Sequence, residues 1–195
     1  MPAAQKAKYV KITLEKAYRL ENLINEFFEI TRYNLQKISL EPEWIDLHYM
    51  LAQMADEFYP MLEPQGKKAV VNATEGLTLY GDPNRLARVF NNILKNAVAY
   101  SAPNSLLQIE AREEAGQVVI QFKNRGRTIP PEKLETIFEK FYRLDEARSS
   151  NTGGAGLGLA IAKEIVTLHG GAISAASQQG ETVFTVLLPK ELPHL

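Results

Sequence analysis

Apolar residues along the chain fall into stretches of distinct period. Residues 10–33 contain neither Gly nor Pro, and apolar side chains recur at Ala17, Leu20, Leu23, Ile24, Phe27, Phe28 and Ile30. That three-and-four spacing predicts one long amphipathic helix, about 36 Å from end to end. Its Phe and Ile stripe has nothing inside the segment to bury it. The stripe needs a cover, either a partner helix from outside this chain or the chain's own domain. A short β-prone stretch follows at 37–46, interrupted by Pro42. Residues 47–59 read as a second amphipathic helix, closed by Pro60 and the turn at Pro64–Gly66. Residues 69–73 and 77–81 are strand-like, with Gly76 at the turn between them. Asp82 followed by Pro83 is an N-cap with proline at the first helical position, and that helix runs to about Tyr100.

The second half continues the alternation. Residues 106–112 and 118–122 form a hairpin around Gly116. Residues 131–141 read as helical, starting at a paired proline and turning Leu134, Ile137, Phe138 and Phe141 inward. A polar stretch, 143–152, leads into glycine, and a helix over 157–168 is ended by Gly170 and Gly171. Residues 172–176 and 182–188 close the chain as a strand pair stopped by Pro189. There is no regular βαβ rhythm. The pattern predicts an α/β fold, a two-layer sandwich with helices on one face of a mixed sheet, preceded by one long helix.

Composition narrows the class. The chain has 195 residues, 22 Lys+Arg against 23 Asp+Glu, three His and no Cys. Disulfides and Cys-ligated zinc are excluded, and a thiol-free chain fits a reducing compartment. A net charge of −1 gives no overall drive toward DNA or anionic lipid, so no nucleic-acid partner is expected. No 18-residue apolar run and no signal-peptide core is present, which predicts a soluble chain.

Three stretches carry candidate chemistry. The first is Gly153-Gly154-Ala155-Gly156-Leu157-Gly158-Leu159, directly before a helix. Glycines let backbone N–H groups approach a phosphate closely, and a helix N-terminus attracts anions. A Walker loop would need Lys and then Ser or Thr where Leu159 and Ala160 stand, and the G-x-G-x-x-G spacing is absent. The alternative is a flexible, glycine-hinged loop. The second is Asn92 and Asn96, four apart on one helix face and ahead of Tyr100. They can offer carboxamide oxygens to Mg²⁺ or phosphate, or simply cap and face solvent. The third is Asn124-Arg125-Gly126-Arg127-Thr128-Ile129-Pro130 at a strand end. It is either an amide that reads an amine on a base edge or an ordinary strand-to-helix turn.

In this order the three stretches resemble the ATP-binding domain of bacterial sensor histidine kinases, in the wider family that includes gyrase and certain chaperone ATPases (the Bergerat, or GHKL, fold). Asn92-Ile93-Leu94-Lys95-Asn96-Ala97 is similar to the N box and Asn124–Ile129 to the G1 box. Ile137-Phe138-Glu139-Lys140-Phe141-Tyr142-Arg143 is similar to the F box and Gly154–Leu159 to the G2 box. His169-Gly170-Gly171, then Gly180, Thr182 and Phe184, match the closing pattern. Residues 9–34 resemble the second helix of a dimerisation hairpin, and the wording of 23–34 and 141–145 is most like the VanS-type vancomycin-resistance sensors.

The resemblance implies two parts, a dimerisation helix over 1–36 and an ATP-binding catalytic domain over 37–195. It implies ATP and Mg²⁺ as cofactors, with Asn96 holding the ion and Asn92 supporting it. Tyr100 would stack near the adenine, and Arg143 would reach phosphate from a lid over 143–154. Gly154, Gly156, Leu157 and Gly158 would form the hinge and phosphate-facing turn, with Asn124, Gly126, Ile129 and Thr182 at the base. Implied partners are a helix bearing a phospho-acceptor His, a response regulator and a second copy in the full-length protein. The implied location is the cytoplasmic part of a membrane sensor.

Several positions depart from the family pattern. Asn124 stands where the G1 box begins with Asp, Thr128 replaces its second glycine, and Ala99 replaces a common basic residue. A neutral acceptor at 124 predicts ATP binding that is present but not tight. Asn92 occupies the place of the water-activating Glu in gyrase-like ATPases and cannot act as a base, which favours phosphotransfer over hydrolysis. None of His48, His169 and His194 sits in the run expected around a phospho-acceptor, so the chain is expected not to phosphorylate itself. The alternative class is a nucleotide-binding scaffold without transfer activity.

Overall fold

A computed structural model describes residues 2–34, 39–144 and 156–192. The long helix α1 spans Ala3–Asn34, starting earlier than its apolar stripe requires. Leu20, Ile24, Phe27 and Phe28 remain exposed on it, as do Tyr9, Val10 and Ile12. The body of the domain therefore leaves these residues of the stripe uncovered, while Leu23 is half-buried.

After α1 come β1 (Glu43–Asp46), α2 (Leu47–Leu62), β2 (Lys68–Ala73), β3 (Thr78–Gly81) and α3 (Pro83–Tyr100). Then follow β4 (Leu106–Glu114), β5 (Gln117–Arg125), α4 (Gly158–Leu168), β6 (Ala172–Gln178) and β7 (Glu181–Pro189). Five strands form one sheet in the order β2-β4-β5-β7-β6, with β2 parallel to β4 and the other neighbours antiparallel. The sheet is mixed, and helices cover one of its faces. Leu51, Phe58, Phe90, Ile93, Leu94, Ile161 and Ile165 meet Ile109, Ile120, Phe122 and Val186 in a single core. Phe90 and Phe122 cross that interface with ring centroids 5.8 Å apart. The opposite face of the sheet is polar: Lys123 pairs with Glu110, and Gln121 donates to Thr185.

Local expectations fail at four places. Pro60 does not stop α2, which runs on to Leu62 with the proline inside it. A proline in the last turn removes one hydrogen bond, and the buried Leu62 keeps the chain on its helical path. The strands on either side of Gly76 are not paired with each other. β3 pairs with β1, Trp44 opposite Tyr80, while β2 joins the large sheet beside β4. Residues 131–141 do not make one helix but two 3₁₀ turns, Pro131–Lys133 and Thr136–Phe138. Phe141, expected inward, is exposed at φ +65°. Ile137 and Phe138 alone reach the core from this segment, and two short turns place them without a full helix.

Helix α3 lies at the centre of the helical layer and is held at both ends. Asp82 caps it by accepting from the Arg85 N–H at 3.1 Å, and its second carboxylate oxygen accepts from the Glu41 N–H at 3.1 Å. The Asp82 N–H donates to Nε2 of the buried His169 at 3.1 Å, and His169 Nδ1 lies 2.8 Å from the Ile165 carbonyl. These two bonds define the neutral tautomer with its proton on Nδ1. At the other end, buried Lys67 donates from Nζ to the Val98 carbonyl at 2.7 Å, one of the last acceptors of α3.

Burial holds the His169 pKa below the usual histidine value, while the Ile165 carbonyl and Asp82 partly oppose the shift. The unfolded chain takes up that proton near pH 6.5, so it binds more protons than the folded state as the pH falls. The His169 contribution to stability is complete above about pH 6.5 and is lost as the pH drops toward the depressed folded value. Denaturant unfolding of wild type and His169→Gln should show a gap at pH 7.5 that narrows at pH 5.5. A gap that widens on acidification contradicts this account.

Candidate functional site

The polar edge of α3 faces a cavity of about 1520 Å³ bounded by the sheet, α4 and the 3₁₀ segment. Asn92, Asn96, Tyr100, Asn124, Ile129, Arg143, Gly156, Gly158 and Thr182 all line it. Two other expected residues do not. Leu157 is fully buried in the core and contributes the backbone that enters α4, and half-buried Gly126 packs against the Tyr100 backbone. Gly154, and the lid beyond Leu144, lie outside the described residues.

The two asparagines follow from the period of α3. Leu86, Val89, Phe90, Ile93, Leu94, Ala97 and Val98 are buried, so Asn92 and Asn96 fall at the edge of the apolar face. The Asn96 Nδ2 donates to the Asn92 carbonyl at 2.9 Å, and its Oδ1 accepts from none of the described residues. The Asn92 Nδ2 is buried without any hydrogen-bond partner. Such a donor costs roughly 1–3 kcal/mol unless a ligand satisfies it. Gly158 packs onto this amide, since a Cβ there would lie 3.3 Å from Asn92 Oδ1.

Gly158 also opens α4, and no side chain caps that N-terminus. Its first N–H groups and the positive end of the helix dipole are left for an anion. The chain arrives there by a tight approach. The Phe141 N–H donates to the Gly156 carbonyl at 2.9 Å, and Gly156 takes φ +76°. A Cβ on Gly156 would sit 2.8 Å from the Tyr142 carbonyl oxygen, so only glycine fits. Arg88, Lys95, Arg127, Lys133 and Arg143 line the cavity, against Glu15 as the one carboxylate among the described lining residues. The described lining is richer in cationic than in anionic side chains although the chain is near neutral, which suits a polyphosphate.

The far end of the cavity is built on β5 and β7, where Asn124 and Thr182 are cross-strand partners. Both are nearly enclosed, at 5% and 4% exposure. Ser177 on β6, a strand serine without a local sequence signal, organises this end. Its Oγ accepts from the Ile129 N–H at 2.9 Å and lies 2.8 Å from Thr182 Oγ1. Thr128 accepts from the Gly180 N–H at 2.8 Å, which ties the turn after β5 to the β6–β7 turn. Lys133 and Lys95 bring their charge to the cavity through tertiary placement alone.

The residues present fit a magnesium nucleotide. A free amide oxygen at Asn96, an orphan donor at Asn92, an uncapped helix N-terminus and local cationic charge suit the phosphates. The enclosed amide at Asn124 suits a base. Sheet order and site together define an ATP-binding sandwich domain. Residues 81–192 match the family described as histidine kinase-, DNA gyrase B- and HSP90-like ATPase, and the chain belongs to that family. It is similar to the sensor protein VanS of Enterococcus faecium, 66% identical over 189 residues that cover 97% of this chain and 49% of that protein. It is 46% identical to the sensor protein VanSC of Enterococcus gallinarum, over 96% of this chain and 52% of that protein. The chain thus spans about half the length of these curated relatives. Among solved structures, full-length ShkA in complex with AMPPNP superposes with TM-score 0.86 at 25% identity, covering all of this chain and 41% of that one.

Gly126 supplies a test of the site's frame. A Cβ there would lie 2.2 Å from the Tyr100 carbonyl oxygen, a backbone atom that cannot rotate away. Gly126→Ala should lower stability by about 1–3 kcal/mol in denaturant titration and change the environment of Tyr100, followed by nucleotide-dependent tyrosine fluorescence. A variant as stable as wild type would show that the close approach is not required.

Proposed function

We propose that the chain is the Mg-ATP-binding catalytic part of a two-component sensor histidine kinase in vancomycin-resistance signalling. It would transfer the γ-phosphoryl group of ATP to a His on a dimerisation helix outside this chain. The observation that carries this reading is the orphan Asn92 amide beside the free Asn96 oxygen, under an uncapped helix N-terminus. In the proposed roles, Asn96 holds Mg²⁺ against the phosphates and Asn92 donates to a phosphate oxygen. The α4 N-terminus and Arg143 neutralise charge, and Tyr100 and Asn124 hold the base. Bound magnesium would supply charge neutralisation between the phosphates. Asn92 provides no base to activate water, so the residues favour an external nucleophile over hydrolysis.

The histidines support a division of labour between this chain and another helix. His48 is exposed at the start of α2 and His169 is buried with both ring nitrogens engaged. His194 lies outside the described residues. Residues 1–36 act in this proposal as half of a dimerisation hairpin and 37–195 as the catalytic domain, with homodimerisation in the full-length protein and a response regulator as recipient. Among the described residues no helix is long and apolar enough to cross a membrane. The likeness to sensor proteins supports the chain being the cytoplasmic portion of a membrane sensor. The second reading, a nucleotide-dependent scaffold, draws on Asn124 and the missing acceptor His.

Labelled Mg-ATP separates the two. The chain alone should acquire no acid-labile, base-stable label, and addition of a matching His-bearing hairpin should yield label on that hairpin. Asn96→Ala should abolish transfer while circular dichroism remains that of the folded chain. Saturable binding without transfer supports the scaffold, and no saturable binding at millimolar Mg-ATP removes both readings.

A further inference from the structure

We propose that the base end of this cavity discriminates weakly between 6-amino and 6-oxo purines, and that Asn124 is the residue that sets this tolerance. The inference rests on the nucleotide reading above and specifies its ligand class.

The Asn124 side chain is 5% exposed, lines the cavity, and makes no hydrogen bond with any described residue. Its backbone is committed to the ladder with β7, so the position of the side chain is fixed while its amide is left for a ligand. A primary amide presents an acceptor and a donor side by side. Its terminal torsion is roughly two-fold, so both senses are accessible when no neighbour pins one. Adenine offers an N6 amino donor next to the N1 acceptor. Hypoxanthine and guanine offer the reverse, an O6 acceptor next to an N1–H donor. The amide can meet either edge by turning over.

The neighbouring groups do not impose a direction. The Ile129 N–H is already given to Ser177 Oγ. The Ser177 and Thr182 hydroxyls lie 2.8 Å apart, and either can be the donor. Reversing that O–H···O bond lets Thr182 present a proton or a lone pair as the ligand requires. No carboxylate lines this end: Glu15, the one acidic lining residue described, comes from α1. A carboxylate at position 124 would only accept, and so would oppose O6. A wrongly matched bidentate edge costs roughly 5- to 150-fold in binding.

Displacement of a fluorescent ATP analogue from the whole chain by Mg-ATP and Mg-ITP, at pH 8, tests the proposal. ITP differs from ATP only at this edge. Wild type should bind the two within about tenfold of each other. Asn124→Asp should widen the ratio by at least about tenfold through loss of ITP, with far-UV circular dichroism as the control for folding. Asn124→Ala should weaken both nucleotides by similar factors. A wild-type preference for ATP beyond about tenfold, an unchanged ratio in Asn124→Asp, or selective loss of one nucleotide in Asn124→Ala overturns the proposal. If ATP itself fails to bind, the nucleotide reading falls with it, whereas ATP binding without ITP sinks this inference alone.

Discussion

Everything in the site depends on how α3 is seated. Its apolar face is buried, and at each end protein groups partner some of the backbone atoms that the helix itself leaves unpaired. Asp82 serves the first turn, and its own N–H is taken by His169 from the far end of α4. Lys67, ahead of β2, reaches the Val98 carbonyl at the last turn. The seat cannot slide or rotate without breaking a buried polar contact at one end. Because it is fixed, Asn92, Asn96 and Tyr100 share one orientation toward the cavity.

The same arrangement gives the site its polarity. A helix packed on a sheet turns only its edge to a ligand, and that edge is where α3 carries amides instead of methyl groups. Asn92 keeps a buried donor unsatisfied, and α4 starts without a side-chain cap. Both cost stability, and an anion in the cavity would offset both. Gly156 and Gly158 allow the α4 backbone to come close enough for this exchange. The cationic lining then makes a near-neutral chain locally attractive to phosphates.

Much of the fold was legible in the sequence because the relevant signals are local. Asp82-Pro83 marked the start of α3, Gly116 the turn between β4 and β5, Gly170-Gly171 the end of α4, and Pro189 the end of β7. The failures came where long-range packing overrode a local rule. Pro60 was carried through by buried Leu62, and 131–141 was divided into two turns that need only Ile137 and Phe138 in the core. The strands flanking Gly76 were assigned to different sheets because β2 found a parallel partner across the α3 crossover. Ser177 and Lys67 had no legible signal at all, since a lone serine in a strand and a lone lysine in a turn acquire roles only through what they touch.

The sequence by itself determined which elements form, which faces are apolar, and which residue types stand ready for a phosphate and a base. Those properties are written in neighbouring positions, where helix and strand periods fix side-chain direction. Tertiary structure alone decided that Asn92 is left with an orphan donor, that the enclosed Asn124 side chain bonds to none of the described residues, and that Thr128, Ser177, Gly180 and Thr182 line one rim. Hydrogen-bond satisfaction depends on atoms dozens of residues apart, and only packing brings those atoms within 3 Å or so of one another.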